Sequence, residues 1–123
     1  LGLLRFIQMY TESIDGGRTW TRCEPMNFHG CSPHLLLHSS GALVGTYGRR
    51  LEPFGERAMI SRDGGGTWEY DYILRDDGLD SDLGYPSSVE LDDGSILTAY
   101  YQKPERASDR CGFLWSRWRL PDR

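Results

Sequence analysis

The sequence predicts an all-β chain assembled from antiparallel four-stranded blades of a β-propeller. Three observations carry this. Helix signals are nearly absent, and short runs rich in β-branched and aromatic residues alternate with turns marked by many of the 15 glycines. An octapeptide recurs, SIDGGRTW at residues 13–20 and SRDGGGTW at residues 61–68, with its tryptophans 48 positions apart. A hairpin recurs as well. SPHLLLHSSGALVGTYGR (32–49) lies over YPSSVELDDGSILTAYYQ (85–102) at a constant offset of 53, matching Pro33 with Pro86, Gly41 with Gly94 and Tyr47 with Tyr100.

The elements follow in order. LLRFIQMY precedes the first octapeptide. HLLLHSS and ALVGTYG flank the turn SSG at 39–41. RAMIS and TWEYDYIL flank DGGG at 63–66, and SSVEL and SILTAYY flank DDG at 92–94. FLWSRWRL closes the series. The repeating unit is therefore strand, turn, strand, loop, strand, octapeptide turn, strand, which is four antiparallel strands in about 50 residues, the size of a propeller blade. Residues 1–30 then hold the outer strands of one blade, 31–80 a complete blade, and 81–123 part of a final blade that lacks the octapeptide. So few strands cannot close a toroid, so the chain is expected to be the C-terminal portion of a larger one.

Each octapeptide has the chemistry of a tight turn. Ser13, Asp15 and Thr19 in the first, and Ser61, Asp63 and Thr67 in the second, offer oxygens to backbone N–H groups. Gly17 and Gly65 supply positive φ, and Trp20 and Trp68 cover the turn with an apolar ring. These residues are expected to be structural.

Composition excludes several classes. Apolar residues make up 38% of the 123, enough for a packed core. The net charge of −4 and the lack of a basic stretch argue against a nucleic-acid partner, and no apolar run approaches a membrane span. The three cysteines, Cys23, Cys31 and Cys111, form no CxxC pair. Cys23 and Cys31 could bridge, but three reduced thiols are the favoured reading. His34 and His38 share a strand face about 13 Å apart, too far for one zinc. The acidic stretch RDDGLDSDLG (75–84) departs from the spacing of a calcium loop and reads as a solvated turn. No metal and no cofactor is expected. Trp115 and Trp118 face opposite sides of a strand, one of them in the core.

The pattern S-x-D-x-G-x-T-W in both octapeptides resembles the Asp box of the sialidase (neuraminidase) superfamily and related propellers, where it folds the hairpin between the third and fourth strands of a blade. GERAMISRDGGGTWEYDYILRDDGLDSDLGYPSSVELDDGSILTAYYQ (55–102) resembles the last part of the sialidase catalytic domain, in which an arginine opens a strand and a tyrosine follows some 30 residues later. Here Arg57 and Tyr85 stand 28 apart. The resemblance implies a six-bladed propeller, exo-hydrolysis of a terminal acidic sugar such as sialic acid, and a glycan or glycoconjugate substrate. It also implies a secreted or periplasmic setting, which the N-terminus itself does not decide.

By that resemblance Tyr85 is the nucleophile and Arg57 one of three arginines that grip the substrate carboxylate. Arg5 is a candidate for another of the three. The family's Glu partner and Asp acid fall upstream of Leu1. Arg49, at a strand end, and Asp82, three residues before Tyr85, are further candidate substrate contacts. The chemistry is coherent. A neutral phenol attacks an anomeric carbon bearing a carboxylate without charge repulsion, and the tyrosine is a recognised exception to hydrolysis by two carboxylates. A phenol of pKa about 10 needs a base beside it, and a guanidinium fork suits a carboxylate. Where the family has Tyr-Ser, this chain has Tyr85-Pro86, an extra residue at a point where a shift of one exchanges faces. The alternative from the same residues is a non-catalytic propeller that binds glycan or protein, since Asp boxes occur in both kinds.

Overall fold

A computed structural model describes residues 6–122. They form nine strands in three antiparallel sheets and no helix. The first sheet pairs β1 (Ile7–Tyr10) with β2 (Glu24–His29). The second runs in sequence order through β3 (Cys31–Leu37), β4 (Leu43–Arg49), β5 (Gly55–Ser61) and β6 (Glu69–Arg75). The third comprises β7 (Gly84–Glu90), β8 (Ile96–Gln102) and β9 (Gly112–Trp118).

The three sheets stack in chain order, and burial along each strand shows it. Every residue of β5 is buried, although GERAMIS carries the adjacent charged residues Glu56 and Arg57, because a sheet lies on each of its faces. In β7 burial alternates: Gly84, Pro86 and Ser88 are covered by the second sheet, whereas Tyr85, Ser87 and Val89 are open. The seam between the first and second sheets is apolar, built from Phe28, Tyr47 and Met59 with Met26 and Trp68 packed against them. Phe28 also stacks on Tyr70, ring centres 4.8 Å apart.

The seam between the second and third sheets is polar. Thr46 and Ser88 hydroxyls meet at 2.8 Å, Ser88 and Thr98 at 2.9 Å, and Trp118 Nε1 donates to Thr98 Oγ1 at 3.0 Å. All three hydroxyls are buried. The Ser88 amide donates to His34 Nδ1. At the far end the turn after β3 clasps the turn after β7. His38, buried just beyond its strand, bonds the Gly94 carbonyl at 3.0 Å, and the Ser39 amide donates to Glu90.

The octapeptides fold alike. Asp63 accepts from Ser61 Oγ, Thr67 N and Thr67 Oγ1 at 2.9, 2.8 and 2.6 Å. Asp15 accepts from the corresponding Ser13 and Thr19 groups at 2.8, 2.9 and 2.6 Å. The donors stabilise the anion, with the threonine hydroxyl first, and hold both carboxyls down to about 2. Gly65 and Gly17 have φ of +94° and +86°, as the turn requires.

One strand is expected only from the repeating unit, as an outer strand within residues 1–30, and not from its own residues. β2, EPMNFH, carries Pro25 and Asn27, which the β-former pattern passes over. It sits at a sheet edge, where a proline costs no ladder bond. The three cysteines are free.

Candidate functional site

The residues of interest fall into two groups. The first lies where β4, β5 and β6 meet. Arg57 is 2% exposed, and its guanidinium donates to three main-chain carbonyls: Nη1 to Glu56 at 3.1 Å and to Arg75 at 2.6 Å, and Nη2 to Pro53 at 3.1 Å. Burial lowers its pKa, and the neighbouring charge of Arg49 acts in the same direction. Arg49 donates to the Glu52 carbonyl and stands 3.9 Å from Asp71. The Tyr47 hydroxyl donates to the same Asp71 carboxylate, and burial raises that phenol's pKa. Arg57 therefore ties three backbone segments together.

The second group lies on the third sheet. Tyr85 is 65% exposed and stacks on Tyr101, ring centres 5.9 Å apart and planes 21° from parallel. The Arg50 guanidinium sits 5.5 Å from the Tyr85 ring centre, a cation–π contact. Arg50 Nε donates to the Leu83 carbonyl and Nη2 to the Tyr101 hydroxyl. Tyr101 in turn donates to Asp82 at 2.9 Å, and burial followed by this bond pushes its phenol up to about 12. Lys103 bridges Asp80 at 2.9 Å and Asp82 at 3.7 Å. Arg50 also lines a hollow of about 400 Å³ with Phe6, Leu51, Glu52, Phe54 and Ser81.

The structure thus brings Arg49 near Arg57, and links Asp82 to Tyr85 through Tyr101, but keeps the two pairs in separate groups. Arg5 lies outside the described residues. Tyr85 has φ of +47° and precedes a proline. Its counterpart Ser32, also before a proline, has φ of +49°. Both sit in bulges, between Gly84 and Ser87 and between Cys31 and His34. The strained turn therefore belongs to the repeat rather than to a tyrosine-specific chemistry. It is the extra residue at Pro86, and it turns the Tyr85 ring to the open face.

Between the groups lies Glu56. It is fully buried, and neither carboxylate oxygen has a hydrogen-bond partner among the described residues. Burial drives its pKa up to about 8, with Arg50 and then Arg57 opposing. A Cβ added at Gly84 would stand 3.4 Å from the Gly48 α-carbon and 3.7 Å from Glu56 Oε1, so the carboxyl sits beneath the backbone that presents Tyr85. Arg50, Tyr101 and Glu56 are the residues that sequence reasoning passed over. A tyrosine directly following the one matched across the repeat, Tyr100, was a usable signal for Tyr101; Glu56 offered none.

In the acidic loop, Asp77 pairs with Arg75 and accepts from Gln102, while Asp80 and Asp82 face Lys103. No group of three or more potential metal ligands occurs among the described residues.

No protein-family model matches the chain, and no curated protein matches it. Among solved structures, it is similar to the crystal structure of a protein of unknown function from Dyadobacter fermentans DSM 18053, at 32% identity and a TM-score of 0.82. The match covers 96% of this chain and 32% of that one, so the chain spans about a third of the length of the protein it matches.

Proposed function

We propose that the chain is part of a sialidase-like, Asp-box β-propeller that binds glycans through the Tyr85–Tyr101–Arg50 platform, with an acidic sugar in the adjoining hollow. One observation carries the reading: Arg50 belongs at once to the aromatic stack and to the hollow. Sugar rings present C–H faces that stack on aromatic planes, and a guanidinium edge suits a sugar carboxylate. A hollow of about 400 Å³ is within the usual size range of small-molecule sites. Arg50 Nη1 has no protein partner among the described residues, which leaves it for a ligand. Arg57, bonded to three carbonyls, serves this reading as a positioning residue.

The second reading is hydrolysis of a terminal acidic sugar with Tyr85 as nucleophile. The spacing of Arg57 and Tyr85 and the exposed Tyr85 ring favour it. Two variants separate the readings. Under the binding reading Tyr85→Phe keeps the stacking face, so affinity for sialylated oligosaccharides, read by calorimetry, stays within about threefold of wild type. Tyr85→Ala loses about tenfold or more, equivalent to about 1.4 kcal/mol. Arg50→Ala weakens acidic oligosaccharides and spares neutral ones. If Tyr85→Phe instead abolishes turnover of a sialoside by the wild-type protein, and a fluorinated sugar labels Tyr85, the hydrolytic reading replaces the binding one.

A further inference from the structure

The seam between the second and third sheets encloses an acid that no side chain pairs with among the described residues. On β5 the adjacent residues Glu56 and Arg57 point to opposite faces of the sheet. Arg57 spends its guanidinium on three main-chain carbonyls. Glu56 turns the other way, toward Gly84 of the third sheet, with both carboxyl oxygens buried and without a hydrogen-bond partner. Its neighbours across the ladder are Gly48 on β4 and Arg75 on β6, and the Arg75 guanidinium is taken by Asp77. A Cβ added at Gly48 would stand 3.1 Å from the Gly84 α-carbon and 3.4 Å from Leu83 Cδ1, so the two sheets close tightly over this point.

Two cations act on Glu56, Arg50 first and Arg57 second. Arg50 stands in the loop after β4, and its Nε donates to the carbonyl of Leu83, the residue before Gly84. The same guanidinium reaches the Tyr101 hydroxyl, lies over the Tyr85 ring and lines the hollow. The other titratable groups of this corner are engaged elsewhere. Arg49 faces Asp71, Asp76 acts on Arg57, Asp77 holds Arg75 and Gln102, and Asp82 takes the Tyr101 hydroxyl and Lys103. Tyr101 itself is pushed up to about 12, and burial raises the thiol of Cys31, which pairs with Gly48.

An acidic ligand on Arg50 is therefore a second carboxylate drawing on one guanidinium. Two carboxylates that share a charge in a poorly hydrated place do not readily ionise together, so one of them keeps its proton. We propose that Glu56 is the proton-holding partner of the Arg50 site, so that an acidic sugar on Arg50 and a proton on Glu56 bind together and each strengthens the other. The proposal rests on the glycan reading and adds regulation of that site by pH. In the free protein burial already lifts Glu56 to about 8, and an anion on Arg50 weakens the charge that opposes this lift. Acidic ligands are then held most tightly below about pH 8 and lose affinity as pH rises through that value. Neutral sugars make no demand on the Arg50 charge, so their affinity stays level.

Calorimetry of sialyllactose and lactose binding from about pH 6.5 to 9.5 tests it. Across that range wild-type affinity for sialyllactose is expected to fall about fivefold or more, with lactose unchanged. Near the upper half of the range sialyllactose binding should take up part of a proton, seen as a heat that varies with the ionisation enthalpy of the buffer. Glu56→Gln keeps the shape of the side chain and cannot ionise, so its affinity for sialyllactose should be level with pH and its binding should take up no proton. In the wild type alone, carboxyl NMR should show the glutamate that titrates near 8 move upward when sialyllactose is added, which keeps the test decisive if the variant does not fold. Sialyllactose binding that depends on Tyr85 but takes up no proton overturns the proposal and leaves the platform standing. So does a fall with pH that Glu56→Gln retains. Binding of neither sugar, or binding indifferent to Tyr85→Ala, overturns the glycan reading and this proposal with it.

Discussion

Replacing Glu56 by glutamine is expected to flatten the pH dependence of folding stability between about pH 4.5 and 8, the largest electrostatic effect in the molecule. In the unfolded chain the carboxyl ionises near its usual value of 4.5, whereas burial raises it to about 8 in the fold. Across that window the folded protein holds a proton that the unfolded chain has released. Wild-type stability is therefore highest below pH 4.5 on this account and falls as pH rises toward 8, by on the order of 4 kcal/mol. Arg50 and Arg57 are the charges that act on the group, and both act to reduce the shift. The carboxyls held low by hydrogen bonds, Asp15 and Asp63 among them, act in the opposite sense, and only as pH falls through their low values. Urea denaturation from pH 4.5 to 9 reads the result. Glu56→Gln should match or fall below the wild type at pH 5 and exceed it at pH 9. An unchanged slope would remove Glu56 as its source.

The largest steric effect is expected at Gly55→Ala. A Cβ there would stand 1.9 Å from the Arg75 carbonyl oxygen and 2.7 Å from its carbon, which are backbone atoms of the neighbouring strand. That oxygen also accepts the shortest bond of Arg57, at 2.6 Å. The methyl must therefore push β6 away from β5 and loosen the guanidinium that ties the strands. Overpacking of this kind costs on the order of 3 kcal/mol or more, a large part of the total for a domain of this size. Chemical denaturation measures it. A loss below about 1 kcal/mol would show that the β6 backbone yields freely at this point.

The parts of the fold legible in the sequence were those encoded locally. The octapeptides announced their turns because Ser, Asp, Gly and Thr at those spacings satisfy one turn's own backbone groups. The hairpins at 39–41 and 92–94 were equally local. β2 was legible only through the repeating unit and not in its own residues, because Pro25 and Asn27 argue against a strand and pairing with β1 makes one. At the candidate site the spacing of Arg57 and Tyr85 was visible, but their separation into two groups was not. It depends on which sheet covers which face, a property of stacking and not of spacing. Glu56 shows the limit most clearly. In GERAMIS a glutamate beside an arginine near the strand start reads as a surface charge, and only the arrival of Gly84 and the third sheet buries it.

The buried hydroxyls of Thr46, Ser88 and Thr98 have a consequence for how the molecule opens. Separating the second and third sheets would expose them only by breaking a linked set of bonds together, so those sheets behave as one cooperative foldon. The first sheet, two strands held on an apolar seam, can detach without that loss. Amide hydrogens of β1 and β2 should then exchange through a low-energy partial opening, while those of β4, β5 and β8 wait for global unfolding. Equal protection across all three sheets would contradict this division.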